Sequence, residues 1–280
     1  MIADQADPQN AATAPPDQAL AAFELSAPAQ WRCVDFIADL HLHAGAPAVA
    51  QAWQRYLLGT PADAVFILGD LFEVWFGDDA QASDGFVVHC GQVLRAAAAC
   101  RTVYFMHGNR DFLVGPAFLE PTGVQMLPDP TVLAFAGRRW LLSHGDGLCL
   151  ADAEYQQFRA LVRGRNWRAQ FLVRPLAERE ALARHMRERS AQHQQAADYQ
   201  PAEVDANAAI QWLRAVDAGT LIHGHTHRPA DHALADGGNP PLRRVALSDW
   251  CVQPGGSLRA QVLRLDADGL QRLTPAEALR

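Results

Sequence analysis

Short apolar runs recur along the chain, and each of them ends in a polar cluster. Five of these runs are rich in β-branched and aromatic residues and predict strands, followed by DLH at 39–41, GD at 69–70, HGNRD at 107–111, HGD at 144–146 and HGHTH at 223–227. Helical periodicity from Pro47 to Leu58 and from Asp84 to Cys100 predicts helices between strands. Alternating strands and helices predict an α/β sheet with a ligand crevice beyond the carboxyl ends of its strands.

Two segments depart from this pattern, and they divide the rest of the chain into a core of residues 31–150 and 206–280. Residues 1–30 are rich in Ala, Pro and Gln, a composition typical of a disordered tail. Residues 151–205 have a helical pattern and contain nine arginines. A solvated helix face is one interpretation of this segment, but its mixture of apolar and basic residues favours a helical cap over the site. Such a cap would suit an anionic lipid and a negative membrane surface.

Composition narrows the class of protein. The chain has 280 residues and a net charge of −7, which argues against a general nucleic-acid binder. It contains no lysine, and its five cysteines form no CxxC pair, which favours a reducing compartment without a disulfide framework. Neither a secretory signal nor an apolar run of about 18 residues is found. We therefore expect a cytoplasmic protein that can touch a membrane surface, and the sequence indicates no obligate protein partner.

The polar clusters together supply seven oxygen or imidazole donors and no thiolate. These candidate metal ligands are Asp39, His41, Asp70, Asn109, His144, His225 and His227. Mixed oxygen and nitrogen donors favour Mn²⁺, Fe or Zn²⁺ over a cysteine-rich structural zinc site. Seven ligands exceed the needs of one tetrahedral ion and fit two ions that share a carboxylate. Two ions about 3.5–4 Å apart can clamp the attacking and leaving oxygens of a phosphoryl displacement.

The order of these motifs carries a family resemblance. D-x-H, G-D, G-N-R-D, H-G-D and G-H-T-H, in this order, resemble the calcineurin-like metallophosphoesterase superfamily over roughly residues 33–250. The resemblance implies an α/β sandwich of two mixed β-sheets flanked by helices, with residues 151–205 as a helical cap insertion. It also implies two metal sites that share Asp70. One site would comprise Asp39, His41, Asp70 and His227, and the other Asp70, Asn109, His144 and His225.

Longer segments narrow the resemblance to one branch of that superfamily. IADLHL, ILGDLFEVWFGDD, HGNRDFL, SHGDGLC and IHGHTHRP resemble the UDP-2,3-diacylglucosamine diphosphatases of lipid A biosynthesis. This implies an Mn²⁺ enzyme on the cytoplasmic face of the inner membrane, in which a metal-bound hydroxide attacks the α-phosphorus to give UMP and 2,3-diacylglucosamine 1-phosphate. The implied substrate contacts are Asn109, Arg110, Asp152, Tyr155, Arg187, Ser190, Gln194 and His225. Ala197 stands where the branch has a lysine, so another cap arginine would have to replace that contact.

Arg110 gives independent information about the reaction. Arginine does not release a proton near neutral pH, so this side chain serves as a fixed positive charge and not as a general acid. A sugar phosphate leaves a pyrophosphate as a stable anion, whereas an alkoxide would need a proton. Arg110 is therefore a predicted catalytic residue that stabilises charge on the phosphoryl oxygens. His225 is the second residue predicted to stabilise this charge. The alternatives are another metallophosphoesterase acting on nucleotides or phosphoesters, and a non-catalytic scaffold, which usually lacks one or more ligands.

Other polar residues lie close to the clusters in the sequence. Asp111 and Asp146 either orient ligand histidines or cap the turns that follow them. His223 is expected to be a hydrogen-bonded histidine, either in the core or next to the metal ligands. Asp78 and Asp79 are expected to stabilise their loop.

Overall fold

Two mixed β-sheets pack face to face in the computed structural model, which describes residues 20–184, 203–235 and 237–280. The strands in chain order are β1 (Phe23–Ser26), β2 (Val34–Ile37), β3 (Ala64–Leu68), β4 (Thr102–Met106), β5 (Gln125–Leu127), β6 (Thr131–Phe135), β7 (Arg138–Ser143), β8 (Thr220–His223), β9 (Ala230–Ala233), β10 (Arg243–Ala246), β11 (Cys251–Val252), β12 (Leu258–Arg259), β13 (Val262–Leu265) and β14 (Leu270–Leu273).

The two six-stranded sheets each combine parallel and antiparallel pairs. One sheet has the order β14-β13-β2-β3-β4-β5, in which β2 to β5 are parallel and β13 is antiparallel to both neighbours. The other has the order β1-β6-β7-β8-β10-β9, with parallel pairs β1–β6, β7–β8 and β8–β10. Strands β11 and β12 form a separate hairpin. The ends of β2, β3, β4, β7 and β8 carry the polar clusters.

Seven α-helices occur among the described residues. They are α1 (Pro47–Gly59), α2 (Gly85–Ala98), α3 (Pro116–Leu119), α4 (Ala153–Arg163), α5 (Arg165–Leu172), α6 (176–184) and α7 (Ala206–Ala215). Helix α1 starts with a proline, whose fixed φ suits a first helical turn. Helix α2 begins where the Asp84 side chain accepts a hydrogen bond of 2.9 Å from the Phe86 N–H. Both helices agree with the predicted periodic segments.

Burial of both faces of the sheets explains why the strands are continuous apolar runs in the sequence. Phe36 and Phe66 of one sheet lie in the same buried cluster as Leu133, Leu142 and Ile222 of the other, so this cluster fills the space between the sheets. Helices α1 and α2 cover the outer face of the first sheet, and α7 covers the outer face of the second. Strands covered on both faces need apolar side chains at successive positions. The predicted sandwich of two mixed sheets flanked by helices is confirmed.

The predicted disordered tail ends too late in the sequence. Residues 1–19 lie outside the described part of the chain, but Phe23–Ser26 form β1, so the prediction of disorder over residues 1–30 is wrong for that strand. Strand β1 pairs in parallel with β6, and Ala27 N–H continues the ladder with a 2.9 Å hydrogen bond to Ala134 O. A strand of four mostly exposed residues lacks the strong apolar pattern of a central strand, so composition alone misses it.

The described part of segment 151–205 is mainly helical and includes α4, α5 and α6, whereas residues 203–205 are not helical. Residues 185–202 are not among those described, so the predicted contacts Arg187, Ser190 and Gln194, and the replaced lysine position Ala197, lie outside them. None of the helices among the described residues combines the length and the apolar character that crossing a membrane requires.

Candidate metal centre

All seven predicted ligands converge at one edge of the sandwich. Asp39 follows β2, Asp70 follows β3 and Asn109 follows β4, so three come from adjacent parallel strands of one sheet. His144 follows β7 and His225 follows β8, which are adjacent in the other sheet. The remaining two, His41 and His227, lie two residues beyond Asp39 and His225. The predicted crevice at the carboxyl ends of the strands is therefore present.

The backbone of this edge is unusual. Five of the seven ligands have a left-handed conformation, with φ between 47° and 68°, namely Asp39, His41, Asp70, His225 and His227. Such a conformation costs roughly 1–3 kcal/mol at a residue other than glycine, and it concentrates at functional sites. A Cβ on Gly108 would collide with the Asp70 carboxylate, and one on Gly224 would lie 2.6 Å from Asp39 Oδ2. The glycines beside the ligands therefore let the carboxylates approach the neighbouring backbone.

The first group of ligands surrounds the Asp39 carboxylate. His41 Nε2 lies 3.1 Å from His227 Nε2, and His227 Nε2 lies 3.5 Å from Asp39 Oδ1. His41 Nε2 is also 4.0 Å from Asp70 Oδ2. Asp39 accepts hydrogen bonds of 3.1 and 2.9 Å from the His225 N–H, which fixes its orientation. Two ring nitrogens and two carboxylates thus face a common point.

The second group centres on the Asn109 side chain. Its Oδ1 lies 2.9 Å from His144 Nε2 and 2.8 Å from His225 Nδ1. His144 Nε2 is 3.8 Å from Asp70 Oδ2, the same oxygen that approaches His41. The other oxygen of Asp70 accepts a 2.8 Å hydrogen bond from the Arg110 N–H. Asp70 therefore turns one oxygen toward both groups, as a bridging carboxylate would.

Burial and charge adapt these side chains to bind cations. Burial lowers the pKa of His41 and of His225 to about 4, so both rings are neutral and offer lone pairs at neutral pH. Burial raises the pKa of Asp70 to about 6. Burial opposes protonation of His144, but Asp70, Asp146 and Asp39 outweigh it and raise the pKa to about 9. A buried cluster that attracts positive charge and presents oxygen and imidazole donors fits divalent metal ions.

The surroundings hold the ligand loops in place. His144 Nδ1 lies 2.9 Å from Leu68 O, which leaves Nε2 facing the site. The buried Asp111 carboxylate accepts hydrogen bonds from Leu71 N–H at 2.7 Å and from Gly108 N–H at 2.8 Å. Asp111 therefore joins the loop of Asp70 to the loop of Asn109 through backbone groups. These contacts match neither of its two predicted roles, because they go to no ligand histidine and to backbone groups that precede Asp111 in the sequence.

Neither of the two roles predicted for Asp146 is its main role in the structure. Its buried carboxylate accepts hydrogen bonds of 2.8 Å from Tyr155 OH and 2.8 Å from Arg159 Nε. Arg163 Nη2 lies 3.5 Å from the same oxygen and donates a 2.9 Å hydrogen bond to Gly108 O. Residues four apart share one face of a helix, so the spacing of Tyr155, Arg159 and Arg163 was a usable signal that sequence reasoning missed. Asp146 fastens α4 to the ligand loops.

Of the predicted substrate contacts that are described, Tyr155 lies beside the second ligand group, to which Asn109 and His225 belong. The Tyr155 ring stacks on the His225 ring, with centroids 6.0 Å apart and planes inclined by 24°. Asp152 caps α4 by accepting a 2.9 Å hydrogen bond from the Tyr155 N–H, which gives it a structural role at this position. The half-buried Arg110 guanidinium lies 3.2 Å from the Glu73 carboxylate. Arg110, Asn109, Tyr155 and His225 thus occur together at the site.

The other polar residues behave as expected. Asp78 accepts hydrogen bonds from Trp75 Nε1 at 3.0 Å and Gly115 N–H at 2.9 Å, and Asp79 pairs with the buried Arg179. Both aspartates therefore stabilise the loop after β3. His223 is buried, with Nδ1 2.8 Å from Gly224 O and Nε2 3.3 Å from Arg244, so it is a hydrogen-bonded histidine of the core.

The sequence matches a family model and named relatives over most of its length. The family model described as Calcineurin-like phosphoesterase matches residues 34–229. A protein of Xanthomonas campestris pv. campestris named UDP-2,3-diacylglucosamine hydrolase is 44% identical over 250 residues, covering 84% of this chain and 96% of the relative. A protein of the same name from Stenotrophomonas maltophilia is 44% identical over 250 residues, covering 84% and 95%. A solved archaeal phosphodiesterase has a TM-score of 0.43 and 9% identity, covering 86% of this chain and 98% of its own.

Proposed function

Because the chain belongs to the calcineurin-like phosphoesterase family, we propose that it is a metal-dependent hydrolase that cleaves the pyrophosphate of UDP-2,3-diacylglucosamine. The products would be UMP and 2,3-diacylglucosamine 1-phosphate. One observation carries this proposal: relatives that the chain matches over nearly their whole length are named UDP-2,3-diacylglucosamine hydrolase. The intact set of seven converging ligands supports it and argues against a non-catalytic scaffold.

The residues at the crevice fit two Mn²⁺ ions, with Fe or Zn²⁺ as chemically similar occupants. Asp39, His41 and His227 would hold one ion, Asn109, His144 and His225 the other, and Asp70 both. When bound, such ions supply Lewis-acid activation of the attacking water and of the phosphoryl oxygens. Hydrogen bonds to Asp39 and Asp70 hold these two donors in place before substrate arrives.

Arg110 would stabilise the negative charge that develops on the pyrophosphate. Its backbone N–H bonds to Asp70, so the guanidinium extends from a loop that is joined directly to the bridging ligand. It keeps its charge throughout the reaction and cannot protonate a leaving group. A pyrophosphate needs no such proton, because the departing sugar phosphate is already a stable anion. Attack at the α-phosphorus, beside the uridine, gives the proposed products.

Residues 151–205 would form the cap for the lipid part of the substrate. In the described part of this segment, Leu161 is 59% exposed and Val173 is 83% exposed, with Arg165, Arg168 and Arg174 close by in sequence. Exposed apolar side chains next to arginines suit acyl chains and an anionic membrane surface. We therefore place the enzyme peripherally on the cytoplasmic face of the inner membrane, where its lipid-linked nucleotide sugar would be found.

Substrate preference tests the proposal. Each buried methylene is worth about 0.8 kcal/mol, so two acyl chains offer more binding energy than the uridine head alone. We expect UDP-2,3-diacylglucosamine to be cleaved far faster, at equal low concentration, than UDP-N-acetylglucosamine, which lacks the acyl chains, or CDP-diacylglycerol, which lacks the glucosamine. Mass spectrometry after reaction in ¹⁸O-water should find the label on UMP.

Two other results would change the assignment in different ways. Label on the sugar phosphate would move the site of attack but keep the enzyme class. Equal rates on the three nucleotides, or a preference for a plain phosphate ester, would replace the lipid substrate with that of another metallophosphoesterase.

A further inference from the structure

One carboxylate lies between two groups of the proposed reaction. Glu73 Oε1 is 3.2 Å from Arg110 Nη1, and Glu73 Oε2 is 3.4 Å from His41 Nδ1. The two oxygens of a single side chain thus face a metal ligand and the cation proposed to stabilise the pyrophosphate. Both Glu73 and Arg110 are 30% exposed, so neither is locked in place by packing alone.

The backbone around Glu73 is built to keep this position. Leu42 N–H donates to Leu71 O at 2.8 Å, and Glu73 N–H donates to Leu42 O at 3.3 Å, which joins the loop of His41 to the loop of Glu73. Trp75 N–H donates to Arg110 O at 3.1 Å and joins the same loop to that of Arg110. Glu73 is therefore held between both of its partners by main-chain hydrogen bonds.

The His41 ring needs a group to orient it. Its Nε2 faces the first ligand group, while its buried Nδ1 has no hydrogen-bond partner among the residues that the structure describes. Histidines that bind metals almost always donate the other ring N–H to a carboxylate, a carbonyl or water. The Glu73 carboxylate, at 3.4 Å, is placed to accept a hydrogen bond from the Nδ1–H of His41 after a small movement.

Arg110 also needs a neighbouring group, in this case one that limits the movement of its side chain. Its side chain is long and half-buried, and a flexible guanidinium at the mouth of the site would be spread over several rotamers. A carboxylate on one side of the guanidinium limits these rotamers while leaving its other N–H groups available for phosphate oxygens.

We propose that Glu73 is a positioning residue that orients the metal ligand His41 and holds Arg110 ready for the pyrophosphate. The role toward Arg110 rests on the proposed function, whereas the role toward His41 concerns metal binding alone. It predicts two separable effects of removing the charge, one on metal affinity and one on turnover.

The first test measures metal binding without any substrate. Glu73→Gln keeps the shape of the side chain but removes its charge, and Glu73→Asp keeps the charge but withdraws it by one methylene. Titration of Mn²⁺ into the metal-stripped proteins by calorimetry should show affinity weakened about tenfold or more in both variants, the usual effect of losing a partner of a ligand histidine. Glu120→Gln, at an exposed glutamate after α3, is the matched control and should bind Mn²⁺ as the wild type does.

The second test measures turnover at saturating Mn²⁺, where affinity no longer limits the rate. Glu73→Gln should lower kcat by about tenfold in the wild-type background. It should have little further effect in Arg110→Ala, because the group that it positions is then absent. Unchanged melting temperatures in the absence of metal would exclude misfolding as the cause.

The outcomes separate this inference from the proposed function. A wild type that does not hydrolyse the lipid substrate would refute the proposed function. The calorimetry would still test whether Glu73 orients His41 for metal binding. An active wild type with unchanged metal affinity and kcat in both Glu73 variants would refute the inference and leave the function intact. Equal losses of kcat in the wild-type and Arg110→Ala backgrounds would show that Glu73 does not act through Arg110.

Discussion

Replacing Asp146 with alanine should detach the proposed cap from the metal centre. Its carboxylate is fully buried and receives Tyr155, Arg159 and Arg163, all from one face of α4. The substitution removes the single acceptor that these three side chains share. It leaves the helix itself, its cap at Asp152 and the seven ligands unchanged.

The size of the effect follows from the burial of the partners. Arg159 and Arg163 are 26% and 21% exposed, so most of each side chain is shielded from water. Breaking a buried ion pair by removing one partner costs about 3–5 kcal/mol. We take the lower figure, about 3 kcal/mol, because Arg163 keeps its bond to Gly108 O. For a chain of this size that corresponds to a fall in Tm of roughly 6–12 °C.

The assay combines thermal unfolding with kinetics. Circular dichroism should show the fall in Tm for Asp146→Ala, and Tyr155→Phe should lose less, about 1.5–3 kcal/mol for one hydrogen bond to a charged group. Asp268→Ala, at an exposed aspartate in the turn between β13 and β14, is the matched control and should stay within about 0.5 kcal/mol of the wild type. Because α4 places Tyr155 over His225, KM for the lipid substrate should also rise.

A Tm within about 2 °C of the wild type, the shift expected for less than 1 kcal/mol, would refute this reasoning. It would mean that water replaces the carboxylate without penalty, so the pairs would not hold α4 in place. A large fall in Tm with unchanged KM would support the energy assigned to these pairs. It would also show that substrate binding does not depend on the position of α4.

Three further predictions follow from the same contacts. Asp70→Asn should abolish activity and reduce the number of Mn²⁺ ions bound in equilibrium dialysis, because it weakens the ligand that faces both groups; full activity of the metal-stripped wild type would contradict the dinuclear interpretation. Arg110→Ala should lower kcat by roughly 10²–10³-fold, and Arg110→His should not restore it, whereas a loss within threefold would make Arg110 a bystander. Arg179→Ala removes the buried guanidinium that bonds to Phe76 O, Arg174 O and Asp79, so limited proteolysis near residues 176–184 should accelerate; an unchanged cleavage rate would show that Arg179 does not fasten α6.

The sequence predicts the convergence of the ligands because the responsible signals are local. An apolar run that ends in Asp, Asn or His marks a strand end, and parallel strands bring their carboxyl ends to one edge. Asp39, Asp70 and Asn109 were predictable in this way. Their backbone was not, since positive φ at residues other than glycine is uncommon and depends on the contacts that hold it.

The arginines of residues 151–205 show that composition does not predict which charged side chains pair within the protein. The sequence contains nine of them as one basic set, but Arg159 and Arg163 pair with the buried Asp146 carboxylate, and the buried Arg179 side chain pairs with Asp79. Which arginines face inward depends on how α4 and α6 pack on the core, and pairing with a residue as distant in sequence as Asp79 leaves no local signal. Only the spacing of four residues along α4 could have indicated the shared partner.

These internal pairs also bear on how the proposed cap would work. Helix α4 is fastened at Asp146 and α6 at the loop of Asp79, while Trp167 of α5 lies 6.2 Å from the Phe112 ring, which follows the Asn109 loop. The described helices of the segment are thus joined to the ligand loops at three points. A surface that is already ordered loses less conformational freedom when a ligand binds. More of the energy of acyl-chain burial would then remain to hold the pyrophosphate against the metal ligands, which is how binding energy far from the reacting atoms raises turnover.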